Sequence, residues 1–155
     1  MAVQLRDVEF PRDQQELERL IYEYVDWLDI DLSYQNFAAE MARLDALFTL
    51  PSGVYQFALV DGNIAGGVGF RTIDTQTAEV KRLYVRSPFQ GLGVGRVLME
   101  HLLERLKALG YSRVVLDAVP PTQHAQKLYL QMGFVEIEPY FDNPTPDTKF
   151  FGYTL

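Results

Sequence analysis

The stretch Glu79-Val80-Lys81-Arg82-Leu83-Tyr84-Val85, carried through Arg86-Ser87-Pro88-Phe89 into Gln90-Gly91-Leu92-Gly93-Val94-Gly95, decides how the rest of the chain is read. Its first part has the apolar and β-branched content of a strand, expected over Ala78 to Val85. Its last part is a glycine loop that opens directly into a helix, expected from Gly95 to Leu109 and capped by Gly110. Strand, glycine loop and helix start are the parts of a phosphate cradle, in which free backbone N–H groups and the positive end of the helix dipole face an anion. The glycines alone equally suit a connection that merely turns the chain. Two common phosphate loops are excluded. A Walker A loop needs Lys and then Ser or Thr after its last glycine, whereas Arg96-Val97 follows Gly95. A dinucleotide fingerprint needs a third glycine three residues after the second, and Arg96 and Leu98 stand at the two candidate positions. An ATPase and a nicotinamide enzyme are both disfavoured.

Downstream of the loop helix the pattern predicts a strand over Arg113 to Val119, a short helix from about Thr122 to Met132 capped by Gly133, and a strand over Phe134 to Glu138. A last strand is expected over Lys149 to Thr154. Upstream, a strand over Val3 to Val8 precedes a helix from about Asp13 to Trp27, whose stripe is Leu17, Leu20, Ile21, Tyr24 and Leu28. A second helix is expected from about Tyr34 to Leu47, stopped by Pro51-Ser52-Gly53. Strands over Tyr55 to Val60 and Ile64 to Ile73 are joined by Asp61-Gly62-Asn63, with Gly62 and Asn63 supplying the positive φ of a tight hairpin. Gly66, Gly67 and Gly69 weaken or bulge the second of these strands. The order is strand, two helices, a three-strand meander, helix, strand, helix, strand, strand. That is a mixed α/β (α+β) sheet.

At 155 residues and 48% apolar content the chain is read as a single domain, 1–155, able to bury a core without staples. It has no cysteine, which excludes disulfides, thiolate zinc sites and a Cys nucleophile and fits a reducing cytoplasm. His101 and His124 lack metal-ligand company, so no metal is expected. The N-terminus reads as neither a signal peptide nor an anchor, and no run approaches the roughly 20 apolar residues of a membrane span. The net charge of -7 argues against nucleic acid and favours cationic or neutral partners.

With Gln90-x-x-Gly93-x-Gly95 placed after that strand, the segment resembles the acyl-CoA-binding motif of the GNAT superfamily of N-acetyltransferases. Ala125-Gln126-Lys127-Leu128-Tyr129-Leu130-Gln131-Met132-Gly133-Phe134 resembles a second mark of that family, the helix placed beside the cofactor thiol. The element order covers the whole chain, and the tail Glu138-Pro139-Tyr140-Phe141-Asp142-Asn143-Pro144 looks like that of small bacterial members. The resemblance implies a mostly antiparallel sheet that splays after the glycine-loop strand, with the pantetheine arm of acetyl-CoA lying in the gap as an extra strand would. It assigns that arm to the main chain of Leu83 and Val85, and the pyrophosphate to Gln90, Gly91, Leu92, Gly93, Val94, Gly95 and Arg96. The sequence departs from many relatives at Thr122, where they carry Asn; a Thr hydroxyl can still cap the helix. Relatives often dimerise through sheet edges or tails.

The implied reaction moves an acetyl group from acetyl-CoA to a primary amine of a small molecule or peptide, by direct attack in a ternary complex. The resemblance gives Glu79 the place of a general base, which calls for a raised pKa; the alternative is an ion pair with Lys81 on a solvated face. It gives Tyr129 the role of proton donor to the leaving thiolate, against core packing beside Leu128, Met132 and Phe134. The Val85 amide is a candidate to polarise the thioester carbonyl. Arg82, Arg86, Lys107 and Lys127 are candidates to reach phosphate, or else solvated residues. The resemblance sets Tyr24, Trp27, Asp29, Asp31 and Tyr34 over the acceptor site, where an acidic aromatic rim suits a cationic amine, although the aromatics equally suit a core or an interface. Asp117, Tyr140, Asp142 and Asn143 are further acceptor candidates, or else surface or turn residues. The alternatives in other classes are a non-catalytic acyl-CoA sensor and an interaction domain that has lost the cofactor.

Overall fold

The computed structural model describes residues 2–32 and 36–155. The strands are β1 (Val3–Asp7), β2 (Gly53–Val60), β3 (Asn63–Thr72), β4 (Thr77–Val85), β5 (Arg113–Ala118), β6 (Val135–Ile137) and β7 (Lys149–Thr154). The helices are α1 (Gln14–Leu28), α2 (Phe37–Met41), α3 (Leu44–Leu47), α4 (Val94–Ala108) and α5 (Gln123–Gln131). All seven strands join one sheet in the order β1-β2-β3-β4-β5-β7-β6. Every pairing is antiparallel except β4 with β5. This is the mixed, mostly antiparallel α/β sheet that the sequence pattern predicts.

Helix α4 buries Val94, Leu98, Met99, Leu102, Leu103 and Leu106, a 3.6-period stripe, on one face of the sheet. Helix α1 buries Leu17, Leu20 and Ile21 with Leu44 of α3 on the other. Each side chain so buried contributes about 1.5 to 3 kcal/mol. Two expected elements differ. The second helix breaks into α2 and α3, because Arg43 leaves the helical region at φ -133°; its expected start at Tyr34 lies outside the described residues. The hairpin turn holds Asp61 and Gly62 at φ 51° and 80°, while Asn63 already belongs to β3. Two residues with positive φ match the right-handed twist of the strands they join.

The glycines of β3 have a specific use. Gly67 pairs with Tyr84 and Gly69 with Lys81, so Arg82 and Leu83 stand against Val68 alone, a β-bulge in β4. Arg82 takes φ 59°, and its carbonyl accepts a 2.9 Å hydrogen bond from the buried Tyr55 hydroxyl. The Tyr55 ring lies where a Cβ on Gly67 or Gly69 would sit, at 2.4 and 2.7 Å. The extra residue changes the phase of the strand. Ala78, Val80, Leu83 and Val85 all pack toward the α4 side, whereas Tyr84 packs with the α1 cluster and Arg82 reaches Glu40 of α2.

Gly66 is the tightest of these positions, since a Cβ there would lie 2.2 Å from the Tyr84 oxygen and 2.9 Å from the Val85 Cα. Backbone cannot swing away as a side chain can. Gly66→Ala is expected to cost about 2 kcal/mol or more by forcing β3 and β4 apart. Urea unfolding followed by circular dichroism checks it, and an unchanged midpoint would refute the clash.

Candidate active site

Strands β4 and β5 pair only through Thr77, Ala78 and Glu79 with Arg113, Val114 and Val115. From Val80 on, the β5 side of β4 is unpaired, while β5 stays fully paired with β7 as far as Ala118. The sheet is therefore open between the C-terminal ends of two parallel neighbours, where ligands of α/β sheets generally bind.

A cleft with a cavity volume of about 710 Å³ occupies the outer part of this gap. Its walls include Leu83 and Val85 of β4, the loop residues Gln90, Gly91, Gly93, Val94, Gly95 and Arg96, and Ala125 and Leu128 of α5. Leu92, half-exposed, is the one expected loop residue outside the lining. Gly91 and Gly93 take φ 78° and 81°, which a side chain would resist. The helix begins at Val94, one residue earlier than its glycine suggests, with Gly93 as its N-cap. Among the described residues, the amides of Gly91 through Arg96 donate to no protein acceptor, so six consecutive N–H groups are available at a helix N-terminus. Gln90 folds back, its Nε2 donating to the Val85 carbonyl at 2.9 Å. The arrangement fits an anion at the loop and an extended chain along β4.

The basic candidates divide. Arg96 and Lys127 line this cleft, and Arg96 also donates to Gln131 at 2.9 Å. Arg82 and Arg86 do not line it. Arg82 is buried against Glu40, its nitrogens 2.9 and 3.2 Å from the carboxylate, and lies over the Phe37 ring. Arg86 pairs with Glu23 at 2.9 and 3.0 Å. Lys107 sits in the last turn of α4, away from the lining. Thr122 is a wall residue, but its hydroxyl donates to the Val119 carbonyl at 2.7 Å and makes no helix cap. His124 lines the cleft and His101 bonds Gln56 at 2.7 Å; no metal-holding cluster of His, Cys, Asp and Glu exists among the described residues.

A second, smaller pocket, with a cavity volume of about 40 Å³, lies deeper in the gap. Leu83 belongs to both and so stands between them. Lys81 and Arg82 of β4, Asp117 of β5, Tyr129 of α5 and Tyr24 of α1 are among its walls. Tyr129 is buried against Phe134 and Phe151, with ring centroids 5.6 and 6.1 Å apart, and its hydroxyl has no hydrogen-bond partner among the described residues. Burial pushes its pKa well above the ordinary tyrosine value, so it stays protonated. It is thus packed in the core and also a wall of the pocket. The two readings of this residue are compatible.

Glu79 departs from expectation. It is 1% exposed and thus not on a solvated face. One carboxylate oxygen accepts from Arg71 Nε at 2.6 Å, the other from the Tyr140 hydroxyl at 2.5 Å, and Lys81 Nζ stands 3.9 Å away. Burial alone would raise its pKa, but Lys81, Tyr140 and Arg71 outweigh burial and hold it below the usual carboxylate value. The shift has the opposite sign to the one a base at this position calls for. Glu79 is also absent from the walls of both cavities.

The raised carboxylate is Asp117. Burial lifts its pKa, with Glu79 adding to the effect, against Lys81 and the Asn143 amide, which donates to it at 3.0 Å. Lys81 goes the other way, pushed down by burial and by Arg82. Sequence reading passed over Lys81 as an ion-pair partner; its only signal was a shared strand parity with Glu79. The tail candidates Tyr140 and Asn143 therefore meet the site through Glu79 and Asp117, whereas Asp142 does not line it. Of the expected rim, Tyr24 lines the small pocket and Trp27 the large cleft. Asp29 is the left-handed C-cap of α1, Asp31 lines neither cavity, and Tyr34 lies outside the described residues.

Comparison with known proteins places this geometry. The sequence model of the acetyltransferase (GNAT) family matches residues 16–134, and the chain belongs to that family. It is an acyl-CoA-dependent N-acetyltransferase. An uncharacterised N-acetyltransferase of Schizosaccharomyces pombe is 31% identical over 150 residues, covering 96% of this chain and 92% of the relative. The N-acetylaspartate synthetase of Danio rerio is 33% identical over 107 residues, 66% of this chain but only 38% of that protein. The structure of a PaiA N-acetyltransferase from Thermoplasma acidophilum in complex with coenzyme A superposes with a TM-score of 0.74 at 15% identity, covering each chain completely. No helix among the described residues is long and apolar enough to cross a membrane.

Proposed function

We propose that the chain transfers an acetyl group from acetyl-CoA to a primary amine of a small molecule or peptide, by direct attack of the amine in a ternary complex. The observation that carries the reading is the pair of cavities meeting at Leu83, one floored by six free loop amides, the other holding Asp117 and Tyr129. The pyrophosphate of the donor lies on the amides of Gly91 through Arg96, with Gln90 holding the loop to the strand end. The pantetheine arm runs along the unpaired edge of Leu83 and Val85. This directs the thioester toward Leu83 and the small pocket, where the Val85 amide is available to polarise its carbonyl.

Asp117 suits the base role better than Glu79, because it lines the pocket, its pKa is raised, and its Oδ1 makes no hydrogen bond among the described residues. It takes a proton from the bound ammonium, which frees the nitrogen lone pair to attack. Glu79 acts from behind, fixing Arg71, Tyr140 and Lys81 around the site. Tyr129 gives its phenolic proton to the departing thiolate. A cytoplasmic location fits the cysteine-free composition, and the free edge of β6 offers a surface for a homodimer.

Release of free CoA thiol, read with a disulfide reagent on mixing acetyl-CoA with an amine panel, tests the proposal. The absence of cysteine removes the protein background. Turnover with at least one amine is expected, and Tyr129→Phe is expected to slow it about 10- to 100-fold. Tight acetyl-CoA binding without thiol release on any amine would return the chain to the sensor reading. A normal Tyr129→Phe rate would remove Tyr129 from the acid role.

A further inference from the structure

We infer that the small pocket takes a zwitterion, an amino acid whose carboxylate rests on Lys81 Nζ and whose amine faces Asp117. This deepens the function proposed above and rests on it. The charges at the pocket are already sorted in the empty protein. Arg82 is neutralised by Glu40 at 2.9 Å, and Glu79 by Arg71 at 2.6 Å with the Tyr140 hydroxyl on its second oxygen. Two charged side chains are left on the walls.

Lys81 donates no hydrogen bond to any described residue, and its nearest carboxylate oxygen, 3.9 Å away, already accepts from Arg71. Its side chain is only 12% exposed, yet its amine is not among the sealed, unpartnered polar atoms, of which the described residues show Gln56 Nε2 alone. This lysine is one of the wall residues of the pocket. Asp117 keeps Oδ1 free, since Asn143 uses Oδ2. A cation and an anion therefore face one cavity, each with unused hydrogen-bonding capacity.

The electrostatics select among amines. Arg71, Lys81 and Arg82 balance Glu79, Glu40 and Asp117, so a ligand of zero net charge leaves nothing uncompensated in a poorly solvated site. A diamine or polyamine would bring a second positive charge beside Lys81. An amine without a carboxylate would leave the Lys81 ammonium buried without a hydrogen-bond acceptor, 3.9 Å from a carboxylate oxygen that Arg71 already uses. Burial presses the Lys81 pKa down, and an incoming carboxylate would reverse that. Leu28, Leu32, Leu116 and Val119 supply an apolar wall for an aliphatic side chain. Of the acidic aromatic rim expected from the sequence, Tyr24 belongs to this wall, but neither Asp29 nor Asp31 does.

Chemically, Asp117 takes one proton from the ammonium, and the neutral α-amino nitrogen forms a bond to the acetyl carbonyl carbon. The C–S bond breaks as Tyr129 protonates the departing thiolate, and the second nitrogen proton, shed as the amide forms, restores the Tyr129 phenol.

The test is thiol release from acetyl-CoA with the common L-amino acids, each paired with its own primary carboxamide, and with spermidine as a polyamine. At least one acid is expected to exceed its amide about tenfold or more in kcat/KM, and Lys81→Met to collapse that acid-to-amide ratio about tenfold. Lys81→Arg should restore part of it through charge alone. Thermal unfolding of both variants separates a lost anchor from a lost fold. Amides that match or exceed their acids in every pair, spermidine as the best acceptor, or an acid-to-amide ratio untouched by Lys81→Met would each overturn the inference. If no member of any pair is acetylated while another amine releases thiol, the inference fails and the acetyltransferase proposal stands; silence with every amine fails both.

Discussion

Asp117→Asn is expected to lower kcat/KM by about two to three orders of magnitude at neutral pH, while leaving the protein as stable as before or more so. The kinetic part follows from losing the pocket's raised carboxylate. The neutral amide is nearly isosteric and its oxygen can still accept from Asn143, so packing changes little. The stability part has a definite sign. A carboxylate whose folded pKa lies above its unfolded value stabilises the fold below the unfolded pKa, and that contribution is lost as pH rises through the folded pKa. At neutral pH the ionised Asp117 is thus a burden on the fold, which asparagine relieves. Stopped-flow thiol release with thermal unfolding measures both halves. A variant that loses activity and stability together would mark Asp117 as a structural residue. For the wild type, kcat/KM should fall on the acid side at a pH above the ordinary aspartate range, and the variant should lack that limb.

Glu79→Gln is expected to be the mirror image, with a loss of about 3 kcal/mol in stability at neutral pH. Glutamine preserves shape but deprives Lys81 of its nearest carboxylate and weakens the bonds from Arg71 and Tyr140. Because the folded pKa of Glu79 lies below the usual value, its contribution is present above the unfolded pKa and is lost as pH falls through the folded pKa. The difference between wild type and variant should therefore be full at neutral pH and shrink in acid. Urea unfolding across that range reads it. A pH-independent difference would show that the lost energy is packing rather than charge, and unchanged stability with a lost acid limb in the rate would return the base role to Glu79.

What the sequence made legible was what is local. The glycine loop could be recognised because positive φ at Gly91 and Gly93 and a helix start at Val94 depend on residues within one turn of each other. Strands β2 and β3 followed from two apolar runs on either side of the turn signal Asp61-Gly62-Asn63, and α1 from an apolar stripe. The site proper depends on what is far apart. Glu79 owes its environment to Arg71 on the next strand and to Tyr140 sixty-one positions on, and Asp117 owes its to Asn143. The small pocket exists because β4 and β5 part after Glu79, a fact about two strands that neither pattern alone contains. The same is true of Arg82: nothing local demands φ 59° at an arginine, and the Tyr55 hydroxyl and Glu40 that hold it there come from other elements. Gly66, Gly67 and Gly69 announced an irregularity without saying where its extra residue would fall.

The extra residue in β4 works as a half-step in a two-step rhythm. In a regular strand Lys81, Leu83 and Val85 would share one face, and lysine and thioester arm would compete for the same side. With Arg82 intercalated, Lys81 lies out of phase with Leu83 and Val85, and a single strand serves both compartments, one on each side of the beat. Were the same residues to run on as a regular strand without the bulge, Leu83, Tyr84 and Val85 would each turn to the opposite face. The division of the site into two rooms is thus written in a count of residues, and chemistry-preserving point substitutions would leave it standing.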